Sequence, residues 1–419
     1  MEKNKSILCI VDKSYPNSNA NTNCMELFMN EFIKNGYSVD YLSCRETIND
    51  EYVYKKDNSV FVKYDTYTLR LIKKYQKVCK AKSFDKLSAL FNKAFRVLRT
   101  VHDNFSSIEK GFSINKKEMN QIIDLLQKHG KTNYDYIISS CQPITMHIIA
   151  EQLLNVYKDA KWFPVFLDPF VYNYCTRATS VKTRKKVAEK YFAKATKIFT
   201  AVGIVQENER RGYKPSFSNK IVEFSLPSLV DRTVKSQLND ENIKLTYAGI
   251  FYKKIRNPKE MLKILSQLGD EFEVDLMSQQ CKNEIDEIKK QNPNFKLNDL
   301  GFLPREECLK KLQTSNVLIN LGNTITNQTP SKVFEYIGTG KPVVNFYFDD
   351  NDTSLFYFKK YPLCFNINLN NYDNSVISEL KEFCQKNKNT QLSFKEATKN
   401  LGDYTQDKVV KQIYSEIVD

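Results

Sequence analysis

The sequence predicts an α/β protein built as two Rossmann-like, doubly wound domains. Three observations carry that prediction. Short apolar runs alternate with helix-length amphipathic segments along nearly the whole chain, the pattern of parallel strands joined by crossover helices. The succession of strand, polar loop and helix that opens at residue 7 opens again at residue 244. A length of 419 residues, 41% apolar and 27% charged, supplies two hydrophobic cores rather than one.

In the first half, residues 7–11 read as a strand, 12–23 as a polar loop, 25–35 as a helix stopping at Gly36, and 38–43 as an alternating second strand. The loop after the first strand of such a sheet lies at its C-terminal edge, where ligands bind. Residues 60–63 form a short strand. Residues 66–105 carry two helices, with apolar stripes through Leu69, Ile72, Tyr75 and Val78 and through Leu87, Phe91, Leu98 and Val101, interleaved with basic residues. Such stripes pack as core, and the basic face can also meet anionic lipid headgroups; both readings stay open. A helix over 119–129, a strand over 136–139, a loop over 140–143 and a helix over 144–157 follow. The strand at 162–167 ends in Asp168–Pro169. Asp168 stands at the ligand edge, although a carboxylate beside proline is equally a turn-maker. A basic helix, 182–195, and strands at 197–201 and 221–224 complete this half.

The second half starts near Pro227. Strand 244–248, loop 249–257 and helix 258–268 are followed by strand 272–277, helix 282–291, a turn at 300–304 and helix 305–314. After the strand at 317–321 come a helix, a strand at 343–348, a strand at 365–367 and a helix at 376–386. The last helix, 408–417, has no strand after it. The domain reading is therefore 1–226, containing the basic region 66–113, then 227–404, and a terminal segment 405–419.

Composition narrows the function classes. No apolar run approaches the roughly 20 residues that span a bilayer, and the apolar stretch near the N-terminus is too short for a signal-peptide core. The ten cysteines are scattered without a C-x-x-C pair, which suits reduced thiols in a cytoplasmic protein. His102, His129 and His147 form no metal-ligand spacing. The net charge of +14 is concentrated: residues 63–131 hold sixteen Lys/Arg against six Asp/Glu. A basic patch suits an anionic membrane surface or a phosphorylated substrate, and solvated basic helices are the plain alternative. No recognised nucleic-acid module accompanies the charge, so nucleic acid is set aside.

The most informative stretch is 327–344, NQTPSKVFEYIGTGKPVV. The spacing predicts a helix with Thr329 as N-cap and Pro330 at the first helical position, where a missing N–H costs nothing. Gly338 and Gly340 supply the stop. Val333, Phe334 and Ile337 form the buried stripe. Ser331, Lys332 and Glu335 remain for other work. The helix mouth presents unpaired N–H groups and a positive dipole end, which suit a phosphate. Lys332 adds charge. Glu335, one turn deeper on the face of Ser331, can accept hydrogen bonds from sugar hydroxyls. Diphosphate at the mouth and ribose at the glutamate make a nucleotide-shaped arrangement; the alternative is an ordinary helix whose polar residues face water.

These motifs resemble family-4-type glycosyltransferases of the GT-B fold, of the kind that build bacterial cell-surface polysaccharide. TPSKVFEYIGTGKPVV is similar to the family's P-S-K-x-x-E-Y-x-x-x-G-K-P run. YAGIFYKKIRNP resembles its Y-x-G-x-x-Y-x-x-R-N-P loop, and LGFLPREECLKKLQTSNVLINLG its run of turn, helix and strand. YDYIISS and FPVFLDPF match more loosely. The resemblance covers nearly the whole chain except 66–113.

It implies two domains facing a central cleft, a hinge near 225–229, and a terminal helix crossing back to the first domain. It implies a nucleoside diphosphate sugar as donor, no required cofactor or metal, retention of configuration, and a glycan or lipid-linked acceptor. Arg256 should meet the diphosphate, and Thr329 and Ser331 the phosphates. Lys332 adds charge and Glu335 holds the ribose. Asn327 and Gln328 complete the donor loop. Asp168, with loops 14–23 and 140–142, would face the acceptor, so Asp168, Arg256 and Lys332 are the catalytic candidates. The chain departs from its relatives at Asn327, where many carry a glutamate against the transferred sugar, and at Leu167, where many carry arginine. It also has Asn19, Ala20 and Asn21 in place of a glycine pair. These departures motivate the alternatives: a catalytically weak GT-B protein that serves as a binding partner, or another sugar-nucleotide enzyme such as an epimerase. Asp350, Asn351 and Asp352 have the form of a metal-binding Asp-x-Asp, in a loop whose composition favours turn-making.

Overall fold

The computed structural model describes residues 5–67, 69–71, 73–74, 114–140, 143–173, 179–234 and 242–419. The chain divides into two compact units: Met1–Phe224 with Val410–Asp419, and Ser225–Val409. Both are α/β. Most of the basic region, residues 75–113, lies outside the described residues, as do 141–142 of the expected acceptor loop.

The first unit runs β1 (Ser6–Ile10), α1 (Ala20–Lys34), β2 (Ser38–Cys44), β3 (Val53–Lys56), β4 (Ser59–Tyr64), α2 (Lys116–His129), β5 (Tyr136–Ser140), α3 (Thr145–Leu153), β6 (Lys161–Phe166), α4 (Val181–Phe192), β7 (Ile198–Ala201), α5 (Ile204–Arg210) and β8 (Ile221–Phe224). The sheet order is β3-β4-β2-β1-β5-β6-β7-β8, parallel except for the β3–β4 hairpin. That hairpin escapes the hydrophobic pattern because VYKK does not alternate. It is made by its turn, where Asp57 takes a left-handed φ of 51°, and its lysines protect a sheet edge. Helix α1 starts five residues earlier than the predicted 25, because Asn19 caps it by accepting from Thr22 N–H at 2.9 Å while donating to Asp12 at 2.7 Å.

The second unit runs β9 (Ile243–Ala248), α6 (Lys259–Leu265), β10 (Phe272–Met277), α7 (Lys282–Gln291), β11 (Leu297–Asp299), α8 (Arg305–Gln313), β12 (Val317–Leu321), α9 (Lys332–Thr339), β13 (Val343–Tyr347), α10 (Thr353–Phe358), β14 (Cys364–Asn368), α11 (Ser375–Asn387), α12 (Phe394–Ala397) and α13 (Gln406–Val418). Its sheet is wholly parallel in the order β11-β10-β9-β12-β13-β14. The order reverses between β9 and β12, which makes the C-terminal ends of those two strands the topological switch point. A ladder of asparagines ties three strands in register: Asn320 donates to Asn345 at 2.7 Å, and Asn345 to Asn366 at 2.8 Å. The end of α13 belongs with the first unit, where Tyr414 packs on Phe32 and Glu416 pairs with Lys197 at 2.9 Å.

Helix α9 is anchored by apolar burial. Val333, Phe334, Tyr336 and Ile337 are all fully buried in one cluster with Leu318, Val343 and Tyr357. Each such side chain contributes about 1.5–3 kcal/mol relative to exposure. The helix does not begin where the sequence predicts. Ser331, not Thr329, stands at the N-cap, with helical φ and ψ and no side-chain capping bond. Pro330 lies outside the first turn and lends its carbonyl to Val333 N–H at 3.2 Å. The first i→i+4 bond runs from Glu335 N–H to the Ser331 carbonyl at 3.4 Å, whereas the Pro330 carbonyl takes only the tighter bond from Val333, so the α-helical ladder starts at Ser331. Gly340 is the stop, at φ 71°. Gly338 serves packing instead. A Cβ there would stand 2.3 Å from the Val230 carbonyl oxygen, so the glycine permits a close backbone crossing.

Candidate functional site

The switch point of the second sheet is where the sequence-predicted donor residues gather. The loop after β9 carries Arg256. Its backbone bridges Tyr252, with Arg256 N–H donating to the Tyr252 carbonyl at 2.7 Å, which folds the loop back on itself. The loop after β12 runs from Gly322 through Asn327, Gln328 and Thr329 to the mouth of α9. Two bonds join these loops. Thr324 N–H donates to the Ile255 carbonyl at 2.8 Å, and Arg256 Nε donates to Asn323 Oδ1 at 3.0 Å. Asn323 Nδ2 in turn donates to the Gln328 carbonyl at 3.3 Å. Arg256 is half-buried, and its contact from Nη1 to the Ile250 carbonyl is long, at 3.4 Å. Its guanidinium also meets the hydroxyl of Tyr247.

At the helix mouth Ser331 is exposed and Lys332 half-buried. The Lys332 ammonium is bonded to Glu335 Oε2 at 2.5 Å, and Arg305, at the start of α8, approaches Glu335 Oε1 at 3.6 Å. Glu335 is 9% exposed. Two cations thus hold this carboxylate before any ligand arrives, and Lys332 serves the glutamate directly. Sequence reasoning did not single out Arg305; its signal is the position at the first residue of a helix facing the motif helix. Phe302, in the preceding turn, is 69% exposed, more than any other large hydrophobic residue described.

Behind the loops lies Asp352. It caps α10, accepting from Ser354 N–H at 2.7 Å and Ser354 Oγ at 2.5 Å. Burial pushes its carboxyl up to about 6, against hydrogen bonds from Ser354 and the charge of Arg256, which pull it down. Asp350 is exposed while Asp352 is buried and serves as the helix cap. Among the described residues no group of His, Cys, Asp and Glu is arranged to hold a metal ion.

In the first unit, Asp168 follows β6, next to buried Leu167. Its charge reaches Cys24 in the first turns of α1, whose thiol is pushed up to about 11 chiefly by burial and also by Asp168. Asp168 and the loop before α1 therefore share the C-terminal edge of that sheet. Ser14 is buried and hydrogen-bonded to Ser43 at 2.7 Å, while Asn19 is used as the helix cap. His147 is core: it is fully buried against Phe166 and Phe192. No helix among the described residues is long and apolar enough to cross a membrane.

No family model matches the chain. Among curated proteins, the calmodulin-sensitive adenylate cyclase of Bacillus anthracis is 28% identical over 136 residues, which is 31% of this chain; the chain spans only 17% of that relative's length. Solved structures match over the full length. The sucrose-phosphate synthase of Thermosynechococcus elongatus superposes with a TM-score of 0.65 at 11% identity, over 98% of each chain. A glycosyltransferase from Rickettsia africae gives 0.61 at 12% identity, over 99% of each. The Anabaena protein HepE, solved with UDP and glucose, gives 0.56 at 10% identity, over 99% of each. At such identities the likeness is one of fold, and that fold is GT-B.

Proposed function

We propose that this chain is a glycosyltransferase of the hexosyltransferase type, taking a sugar from a nucleoside diphosphate donor and passing it to a glycan or lipid-linked acceptor. One observation carries the reading: the switch point of the second sheet gathers Arg256, bonded through Asn323 to the Gln328 carbonyl, and the uncapped N-terminus of α9, where Lys332 and Arg305 hold the buried carboxylate of Glu335. Arg256 and the helix mouth suit a diphosphate, and Glu335 suits the ribose hydroxyls. The HepE complex supports UDP as the first nucleotide to test. Exposed Phe302, close in sequence to Arg305, offers a ring on which a base can stack.

The chemistry follows from charge. Breaking the bond from sugar to diphosphate leaves negative charge on the leaving group. Arg256 and the α9 dipole face the place where that charge grows, and preorganised stabilisation of this kind is worth several kcal/mol. Lys332 contributes by holding Glu335 and by its own charge. In this reading the transfer needs no metal and retains configuration, Asp168 serves the acceptor side, and the product is cell-surface polysaccharide made at the cytoplasmic face of the membrane. Family-4 kinship and retention rest on the sequence motifs, and the membrane surface on the basic region 66–113.

A second reading is a catalytically weak GT-B protein that binds a partner. It is favoured by Asn327, a buried amide where a carboxylate would grip the donor sugar. The test is a panel of nucleoside diphosphate sugars in thermal unfolding. We expect one of them to raise Tm, since saturation at about 100 times Kd stabilises by about 2.7 kcal/mol. Slow release of free sugar from that donor supports the transferase; binding without release supports the weak protein. No response to any sugar nucleotide overturns the transferase and leaves the partner-binding reading.

A further inference from the structure

We propose that Asn323 is a positioning residue that sets Arg256 and the 327–331 loop in one geometry, so that a diphosphate is gripped by both or by neither. The proposal rests on the donor reading above. The Asn323 side chain is 2% exposed, and its amide is used at both ends. Its Oδ1 takes Arg256 Nε at 3.0 Å, and its Nδ2 gives to the Gln328 carbonyl at 3.3 Å. The orientation of the amide is dictated by its partners, because Arg256 can only donate and a carbonyl can only accept.

The start of the loop is held as firmly. A Cβ on Gly322 would stand 1.9 Å from Asp352 Oδ2. Only a glycine lets the chain pass so near the α10 cap, and that contact sets where Asn323 begins. Gly322 N–H also donates to the Phe346 carbonyl at 2.8 Å. Asn323 thus projects from a corner fixed by β13 and α10. From there it reaches forward to the arginine on one side and along its own loop on the other.

A guanidinium with Nε engaged is fixed in plane, and the energy of fixing it is spent on folding instead of on binding. Removing the amide therefore acts on ligand affinity through Arg256 and Gln328, without touching the ligand.

The experiment is a double-mutant cycle on the full chain, with UDP as probe in calorimetry and GDP and ADP as comparators. We expect Asn323→Ala to weaken UDP binding about tenfold. We expect Asn323→Ala to cost clearly less on the Arg256→Met background than on the wild type, since part of the amide's effect passes through the arginine and the rest through Gln328. Hydrogen exchange on the unliganded protein supplies a second readout. Residues 322–331 should exchange faster in Asn323→Ala, with β12 and β13 unchanged. Asn323→Asp, which keeps the acceptor for Arg256 and cannot donate to Gln328, should loosen 327–331 alone. Full additivity in the cycle, or unchanged exchange in the loop, overturns the proposal while leaving the donor site standing. If the wild-type chain binds none of the three nucleotides, the donor reading itself is wrong and the positioning role goes with it.

Discussion

The hydroxyl of Tyr336 closes on a single residue, Ala248, accepting from its N–H at 2.9 Å and donating to its carbonyl at 3.2 Å. Tyr336 is on the motif helix α9, and Ala248 is the last residue of β9. The bond pair therefore fixes the helix mouth against the strand end from which the Arg256 loop departs. Tyr336 is fully buried, so water cannot replace it.

Tyr336→Phe leaves the Ala248 N–H buried without a partner. The expected cost is about 1–3 kcal/mol of stability, read as a lower denaturation midpoint at unchanged m-value. A midpoint equal to wild type would show that the pair holds nothing in place.

Glu335→Ala should weaken nucleotide binding and leave the fold intact, because the carboxylate, though buried, is paired to Lys332 and Arg305 rather than packed among the apolar core residues. Charge-assisted bonds of this class are worth about 1.5–3 kcal/mol, an affinity loss of roughly ten- to a hundredfold. Calorimetry with UDP and its sugars measures it. Unchanged affinity would remove the ribose assignment.

The asparagine ladder makes a test of register. Asn345→Leu strands the Asn320 donor and the Asn366 acceptor inside the sheet, at an expected cost of about 2–4 kcal/mol. Replacing Asn320, Asn345 and Asn366 together by valine removes every polar partner at once and should recover much of that loss. A triple variant less stable than Asn345→Leu would refute the account.

His147 sets an acid limit on the first unit. Trp162 Nε1 donates to Ser139 Oγ at 2.8 Å, and Ser139 Oγ meets His147 Nδ1 at 2.7 Å. Trp162 can only donate, so Ser139 Oγ accepts from it and shares its remaining capacity with His147 Nδ1. Burial pushes the imidazole down from 6.5 to about 3. Between these values the unfolded chain binds a proton that the folded core refuses, so stability present above pH 6.5 is lost as pH falls. The loss approaches about 5 kcal/mol near pH 3. Wild type should show this slope relative to His147→Gln, and its imidazole should stay neutral to pH 4 by NMR. A ring that titrates near 6.5 would contradict the assignment.

Much of this protein is written locally. Strand and helix periodicities in residues 243–387 place every strand but the three-residue β11, because each apolar run is flanked by breakers and by amphipathic helices. The motif helix, its Gly340 stop and the glutamate on its inner face are readable because spacing along a helix determines which residues share a side. What spacing cannot carry is a partnership between distant loops. Asn323 with Arg256, Arg305 with Glu335, and Asp352 beneath Gly322 are separated by 67, 30 and 30 residues in the chain. Nothing in their local sequence marks them. The start of α9 likewise lies at Ser331 rather than Thr329, because the i→i+4 ladder begins at the Ser331 carbonyl. Sequence alone determined most of the elements and supplied the residues on which the donor reading is proposed. Only the tertiary structure decided which side chains hold the arginine and the glutamate in place, because that depends on where the reversal of strand order brings the ends of β9 and β12 together.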